Sequence, residues 1–280
     1  MIFHIGSFGD PVFQWDDKRN QWIQIGLASH CAMNGRLGVV TNLTEYVDWI
    51  RSTLIASILK ISQTYQCDRR ASCGCSQSDV NITTFGVVQS DAAVEHSWSM
   101  TVSIQWFGDN QCTGSILSDS FILTAATCIL NFVETWNYTI VLAGISKLND
   151  TNPINRTVDR VYIHPNHSSE TSDIHNLAIL RLSHPLPFNS MQTTISKTCV
   201  PMENETYPAS NLSLVLLGWN RHLMSNKREE TLQQMSVTTI DPMSSSCLSH
   251  RFMDKSHQFC VAAASDSKIL DQSDLCLGRF

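Results

Sequence analysis

An all-β fold of the sandwich or barrel kind is what this 280-residue chain predicts, on three observations. From Phe85 onward, short runs rich in Val, Ile, Leu and Thr (MTVSIQW, FILTAAT, YTIVLAG, LAILRL, LSLVLLGW and MSVTTI) are broken by Gly, Pro, Asn and Asp, the mark of many short strands. No alternation of strand and helix patterns accompanies them, which excludes a parallel sheet with crossover helices. With 42% hydrophobic and 16% charged residues the chain has the apolar material for a sizeable core and is not disordered.

In chain order, residues 1–58 begin in a Gly-containing loop and pass through WIQIGLA (Trp22 to Ala28), whose alternation suits a strand. They end in TEYVDWIRSTLIASIL, where Tyr46, Trp49, Ile50, Leu54 and Ile55 recur at helical spacing and Thr44 is the expected N-cap, predicting a helix near residues 44–56. Residues 59–84 read as a linker. Within it CDRRASCGCSQSDVNITT (Cys67 to Thr84) has no apolar periodicity but is dense in cysteine, so it is expected to be stapled to the body of the protein. Residues 85–280 hold the strand runs.

Charge and composition narrow the partners. The formal net charge is −6 with no run of Lys or Arg, so nucleic acid and anionic lipid have no electrostatic footprint to meet. No stretch approaches the roughly 18 uncharged apolar residues of a membrane span. Ten cysteines and eight N-x-S/T triplets (Asn42, Asn81, Asn137, Asn149, Asn155, Asn166, Asn204 and Asn211) predict an extracellular, disulfide-bonded glycoprotein. The opening MIFHIGSFGDPVFQW shows no basic and then apolar signal-peptide pattern. His164 and His167 in HPNH lack a third ligand, so no metal is expected, and the absence of a phosphate-cradling glycine loop predicts no cofactor. Trp98, Trp219 and Trp49 are expected in the core.

Six stretches occur together: HSWSMTVSIQ (His96 to Gln105), CTGSILSDSFILTAATC (Cys112 to Cys128), HNLAILRL (His175 to Leu182), CVP (Cys199 to Pro201), LGW (Leu217 to Trp219) and DLCLG (Asp274 to Gly278). Together they resemble the chymotrypsin/trypsin-like (S1) serine endopeptidases. The resemblance implies two six-stranded β-barrels with a cleft between them and a C-terminal-type helix, here the one near residues 44–56. The order of the pieces departs from the family's. GSFGDP (Gly6 to Pro11), which resembles the family's serine loop, and GVVTNLTEYVDWI (Gly38 to Ile50), which resembles its last strand and terminal helix, come first. Residues 1–58 therefore resemble the C-terminal part of such a domain and residues 85–280 its N-terminal and central part. Circular permutation and a slice through a tandem array are the two readings.

The resemblance also implies pairings for all ten cysteines: Cys112 with Cys128, Cys247 with Cys260, Cys75 with Cys199, Cys67 with Cys73, and Cys31 with Cys276 beside the specificity pocket. The last pair requires the two pieces to meet in one domain.

Peptide hydrolysis in this family needs a serine nucleophile, a histidine base and an aspartate that orients the imidazole. Thr127 in AATC stands at the histidine position, Asn176 at the aspartate position, and Phe280 in CLGRF or Phe8 in GSFGDP at the serine position. A threonine hydroxyl is too weak a base at pH 7, and a benzyl group has no nucleophile. Gly278 and Gly6 match oxyanion-hole positions. His175 is expected to be a surface ring. The activation cleavage site is likewise missing: no Lys or Arg lies between Arg70 and Lys147, and Arg279 and Ser7 replace the partner aspartate. Asp274 and Gly38 match the floor and wall of a pocket that in trypsin-like members receives Lys or Arg side chains. The expectation is a secreted, non-catalytic homologue binding an unidentified protein or Lys/Arg-containing peptides. The rivals are an active trypsin-like endopeptidase and a degenerate fragment.

Overall fold

The computed structural model describes residues 9–31, 37–51, 73–76, 78, 91–130, 135–168, 174–188, 194–202, 212–219, 230–241 and 256–263. Six strands close one barrel: β5 (Thr101–Trp106), β6 (Asp109–Ile116), β7 (Phe121–Thr124), β8 (Thr139–Ala143), β9 (Ile154–Ile163) and β10 (Ala178–Leu182), in the order β10-β7-β6-β5-β8-β9. Closure is made by β10, whose Ala178 pairs with Thr124 on one side and Ile163 on the other. The inward side chains, among them Val102, Ile116, Ile122, Val141 and Leu180, are fully buried. Burial on this scale is worth about 1.5–3 kcal/mol per large aliphatic side chain.

The second barrel takes strands from both ends of the sequence. β1 (Pro11–Asp16), β2 (Gln21–Cys31) and β3 (Leu37–Asn42) lie between β11 (Ser213–Gly218) and β13 (Gln258–Ala263), and β12 (Gln233–Ile240) pairs with both β11 and β13. The seams are antiparallel ladders: Val12 opposite Leu216 where β1 meets β11, and Val40 opposite Phe259 where β3 meets β13. A short β4 (Asp91–Ala92) adds to the edge of β12. Alternation sets which side faces in: in β12, Met235, Val237 and Thr239 are buried while Ser236, Thr238 and Ile240 are half-exposed. The β1–β2 turn is held by Asp16, whose carboxylate accepts from the Lys18 and Arg19 backbone N–H groups and pairs with the Arg19 guanidinium at 2.7 Å. The expected all-β double barrel is what the chain forms, and the two pieces of sequence close one barrel together.

Aromatic residues fill the space between the barrels. Phe13, Trp98 and Trp219 are buried there with Leu142 and Leu217, and Trp22 packs on Trp98 at 5.1 Å between ring centroids. Their polar edges are satisfied: the Trp98 indole N–H donates to Gln234 Oε1 at 2.9 Å and that of Trp219 to the Ser146 carbonyl at 3.4 Å. Trp98 and Trp219 thus sit in the core as expected, while Trp49 is half-buried against His164.

Two local expectations are corrected. The helical segment starts as a 3-10 turn, Leu43–Tyr46, and the N-cap is Asn42, whose side-chain oxygen accepts from the Thr44 N–H at 3.1 Å. Thr44 lies inside that turn. The chain is helical through residue 51, and the remainder of the expected helix lies outside the described residues. In the cysteine-rich segment, Cys73, not Cys75, is bonded to Cys199, so neither the Cys75–Cys199 nor the Cys67–Cys73 pairing forms. The cause is Gly74. With φ at +71° it donates its N–H to the Lys197 carbonyl at 2.7 Å and accepts from the Trp22 N–H at 3.4 Å. It lies so tightly against Trp22 and the Cys199 sulfur that no Cβ would fit. That clamp delivers Cys73 to Cys199 and leaves Cys75 a free, exposed thiol.

Candidate functional site between the barrels

β7 and β10 run side by side with Ala178 opposite Thr124, so the residues just beyond their ends are brought together. On one side Ala125 and Ala126, both fully buried, lead into the short helix Thr127–Leu130. The Cys112–Cys128 disulfide, as the resemblance implied, ties that helix to β6. On the other side His175, at φ +55°, turns the chain so that Asn176 enters the protein completely buried.

Thr127 and Asn176 meet. The Thr127 backbone N–H donates to Asn176 Oδ1 at 2.9 Å, and Asn176 Nδ2 donates to Thr127 Oγ1 at 3.2 Å. A backbone N–H can only donate, so the amide oxygen must face it and the NH₂ is left for the hydroxyl. The two positions expected from sequence to be those of the base and its orienting carboxylate are therefore in contact, as a neutral amide–hydroxyl pair. Removing the amide would leave the Thr127 N–H without that acceptor, at a cost of about 1–3 kcal/mol for a buried donor. The arrangement positions and seals; it holds no group that takes up a proton at pH 7.

Gly9 lies at the same place: it has φ +87°, donates its N–H to the Ala28 carbonyl at 2.8 Å, and would bring a Cβ to 2.9 Å from the Thr113 carbonyl oxygen. It lies against Thr124 and Ala125, just before Thr127. Asp10 is fully buried, its carboxylate against Gly218. Gly38 is a buried residue of β3, opposite Val261 and Cys31. Phe8, Phe280, Gly6, Gly278 and Asp274 lie outside the described residues, as do Cys67, Cys247 and Cys276 and the side chain of Cys31. Cys260 is disulfide-bonded.

Sequence reasoning missed a cluster of rings next to Asn176. His175 is not a surface ring: it is half-buried, its Nδ1 lies 3.0 Å from the Tyr46 hydroxyl, and its backbone N–H donates to that hydroxyl at 3.1 Å. It stacks on His164 at 4.8 Å and meets His257 edge-on at 4.9 Å, while Tyr46 contacts all three imidazoles. Burial, and then the facing His175, His257 and His167, push the His164 imidazole down to about 4. The cluster joins the first barrel (His164, His175) to the second (His257) and to the helical segment (Tyr46). HPNH was the one signal of it in the sequence.

The glycosylation expectations divide. Asn137, Asn149, Asn155 and Asn166 are exposed. Asn42 is 7% exposed and spends its side chain on the helix cap, so a sugar on it has no route to solvent and Asn42 is removed from the set. Asn81, Asn204 and Asn211 lie outside the described residues.

The chain is similar to known proteins over part of its length. The family model described as Trypsin matches residues 87–274. Ovochymase of Halocynthia roretzi is 31% identical over 168 residues, a region covering 56% of this chain and 10% of that protein. Chymotrypsin-C of Rattus norvegicus is 30% identical over 168 residues, covering 58% of this chain and 59% of that protein, and chymotrypsin-C of Mus musculus is 27% identical over 223 residues, covering 78% and 76%. The chain thus spans about a tenth of the ovochymase and under two thirds of the rat protein. Among solved structures, human heparin binding protein is similar with a TM-score of 0.47 and 17% identity, over 56% of this chain and 67% of that one. The family model covers well over half of the sequence and the two closed barrels are in place, so the chain belongs to the trypsin family of serine-protease domains.

Proposed function

We propose that this member of the family is non-catalytic and works outside the cell as a protein-binding or decoy module. The observation that carries the reading is the mutual hydrogen bonding of Thr127 and Asn176. Hydrolysis by the family's chemistry requires a base able to take the nucleophile's proton and a carboxylate to stabilise the resulting imidazolium. An amide and a hydroxyl that satisfy each other supply neither. Phenylalanine at both sequence positions resembling the serine supports the same conclusion, since triad members act as a unit whose loss costs on the order of 10⁶ in rate. Asp274 and Gly38 are proposed as the floor and wall of a pocket for Lys- or Arg-bearing peptides.

The test is covalent labelling by a serine-directed fluorophosphonate, with active trypsin alongside. The purified chain is expected to label no more than its heat-denatured sample and to be retained on an immobilised benzamidine matrix through Asp274. Labelling above the denatured control would establish an activated serine and overturn the reading in favour of a working endopeptidase.

A further inference from the structure

We propose that Asn137 carries an N-linked glycan whose first N-acetylglucosamine lies on a platform made by Phe107 and Tyr138. The inference is independent of whether the chain hydrolyses peptides. It starts from a turn whose sequence contradicts its geometry. β5 and β6 are joined by Phe107 and Gly108, between the paired Trp106 and Asp109, and both turn residues have positive φ, +50° and +84°. Such a two-residue turn favours Asn-Gly, because a bulky side chain is strained in the left-handed region. Here the first position holds a phenylalanine whose surface is 67% exposed. The ring therefore gains little burial to offset the strain of its backbone.

The exposed ring is not isolated. Tyr138, 52% exposed, stacks on it at 5.2 Å and 22°, and Trp106 meets its edge at 4.6 Å. The β5–β8 ladder places Trp106 opposite Thr139. Tyr138, the residue before Thr139, ends the 3-10 turn Trp136–Tyr138 and lies against Phe107, so Asn137 is the direct chain neighbour of that ring pair. Asn137 is exposed, and the space where a Cβ on Gly108 would point is open, with no atom within 4 Å. Asn137-Tyr138-Thr139 is an N-x-T acceptor, so the one attachment point for a sugar in this turn is next to the one uncovered aromatic pair there. A β-linked N-acetylglucosamine turns its axial C–H bonds to one face of the ring. Those weakly positive hydrogens match the negative face of Phe or Tyr.

The chemistry balances with a lipid-diphosphate-linked oligosaccharide as donor. A bond forms between Asn137 Nδ2 and the anomeric carbon, the bond from that carbon to the diphosphate breaks with its electron pair leaving on the diphosphate, and the amide proton passes to solvent. Thr139 is 2% exposed once β8 forms, so transfer precedes pairing of that strand.

The test uses the full chain secreted from a eukaryotic host. Peptide mapping is expected to find Asn137 occupied. In the wild-type chain trimmed to one N-acetylglucosamine, the proton resonances of that sugar are expected to move upfield through the ring currents of Phe107 and Tyr138, and to return to ordinary positions in Phe107→Ala. Removing the glycan by Asn137→Gln should lower the melting temperature by several degrees in the wild type and by less than one degree in the Phe107→Ala background. Three results would overturn the proposal: a bare Asn137, unshifted sugar resonances, or an equal loss on glycan removal in both backgrounds. A bare Asn137 with Phe107-dependent dimerisation would assign the rings to a second copy of the chain instead.

Discussion

Asn176 does structural work: a single amide, fully buried, satisfies both the N–H and the hydroxyl of Thr127. These two residues were legible in the sequence because each sits inside a short motif, AATC and HNLAILRL, that fixes its place without any structure. The imidazole cluster beside them was not, because Tyr46, His164, His175 and His257 come from distant segments that periodicity does not connect. That cluster makes a pH prediction. His164 has a folded-state value near 4, below the ordinary value of 6.5, so the unfolded chain binds its proton first as pH falls. Stability should therefore be whole above pH 6.5 and decline as pH drops from 6.5 to 4, with His175, His257 and His167 facing the ring that resists charging. Urea midpoints at pH 7 and 4.5 check this: His164→Phe should shrink the difference between them, and an unchanged difference would contradict it.

At the scale of elements, strands were read well and connections less well. The β-runs announce themselves by alternating burial, as in β12, whereas the cap and the disulfide depend on one or two residues whose role is set by what packs nearby. Thr44 and Asn42 are both good caps, and the start of the 3-10 turn decides for Asn42. Cys73 and Cys75 flank Gly74 in Cys-Gly-Cys, and the contact of that glycine with Trp22 and Lys197 decides for Cys73. The two cysteines should thus behave differently on substitution. Cys73→Ser is expected to cost about 2–4 kcal/mol, since the bond spans a long loop, and Cys75→Ser close to nothing. Equal losses in denaturant melts would mean that the two thiols share Cys199.

For the whole molecule, strands from both ends of the sequence share one barrel and the double-barrel architecture is in place. β1, β2 and β3, from the first 42 residues, complete a barrel whose other strands begin at Ser213. The same closure brings Gly9 against Thr124 and Ala125 and so assembles the site from distant parts of the sequence. In the sequence, GSFGDP and GVVTNLTEYVDWI resemble the family's end yet stand at the start, which left circular permutation and a slice through a tandem array as the two readings. Pairing partners stayed out of reach there because register is settled by ladders such as Val40 with Phe259, not by either strand alone. The most direct test is native-state hydrogen exchange of the amides in β1–β3 and β11–β13. One closed barrel predicts that both groups exchange through the same global opening, with equal free energies and equal dependence on denaturant. Faster exchange of β1–β3 through a separate, smaller opening would mean that the first strands are an appendage, and it would contradict the shared barrel on which the site depends.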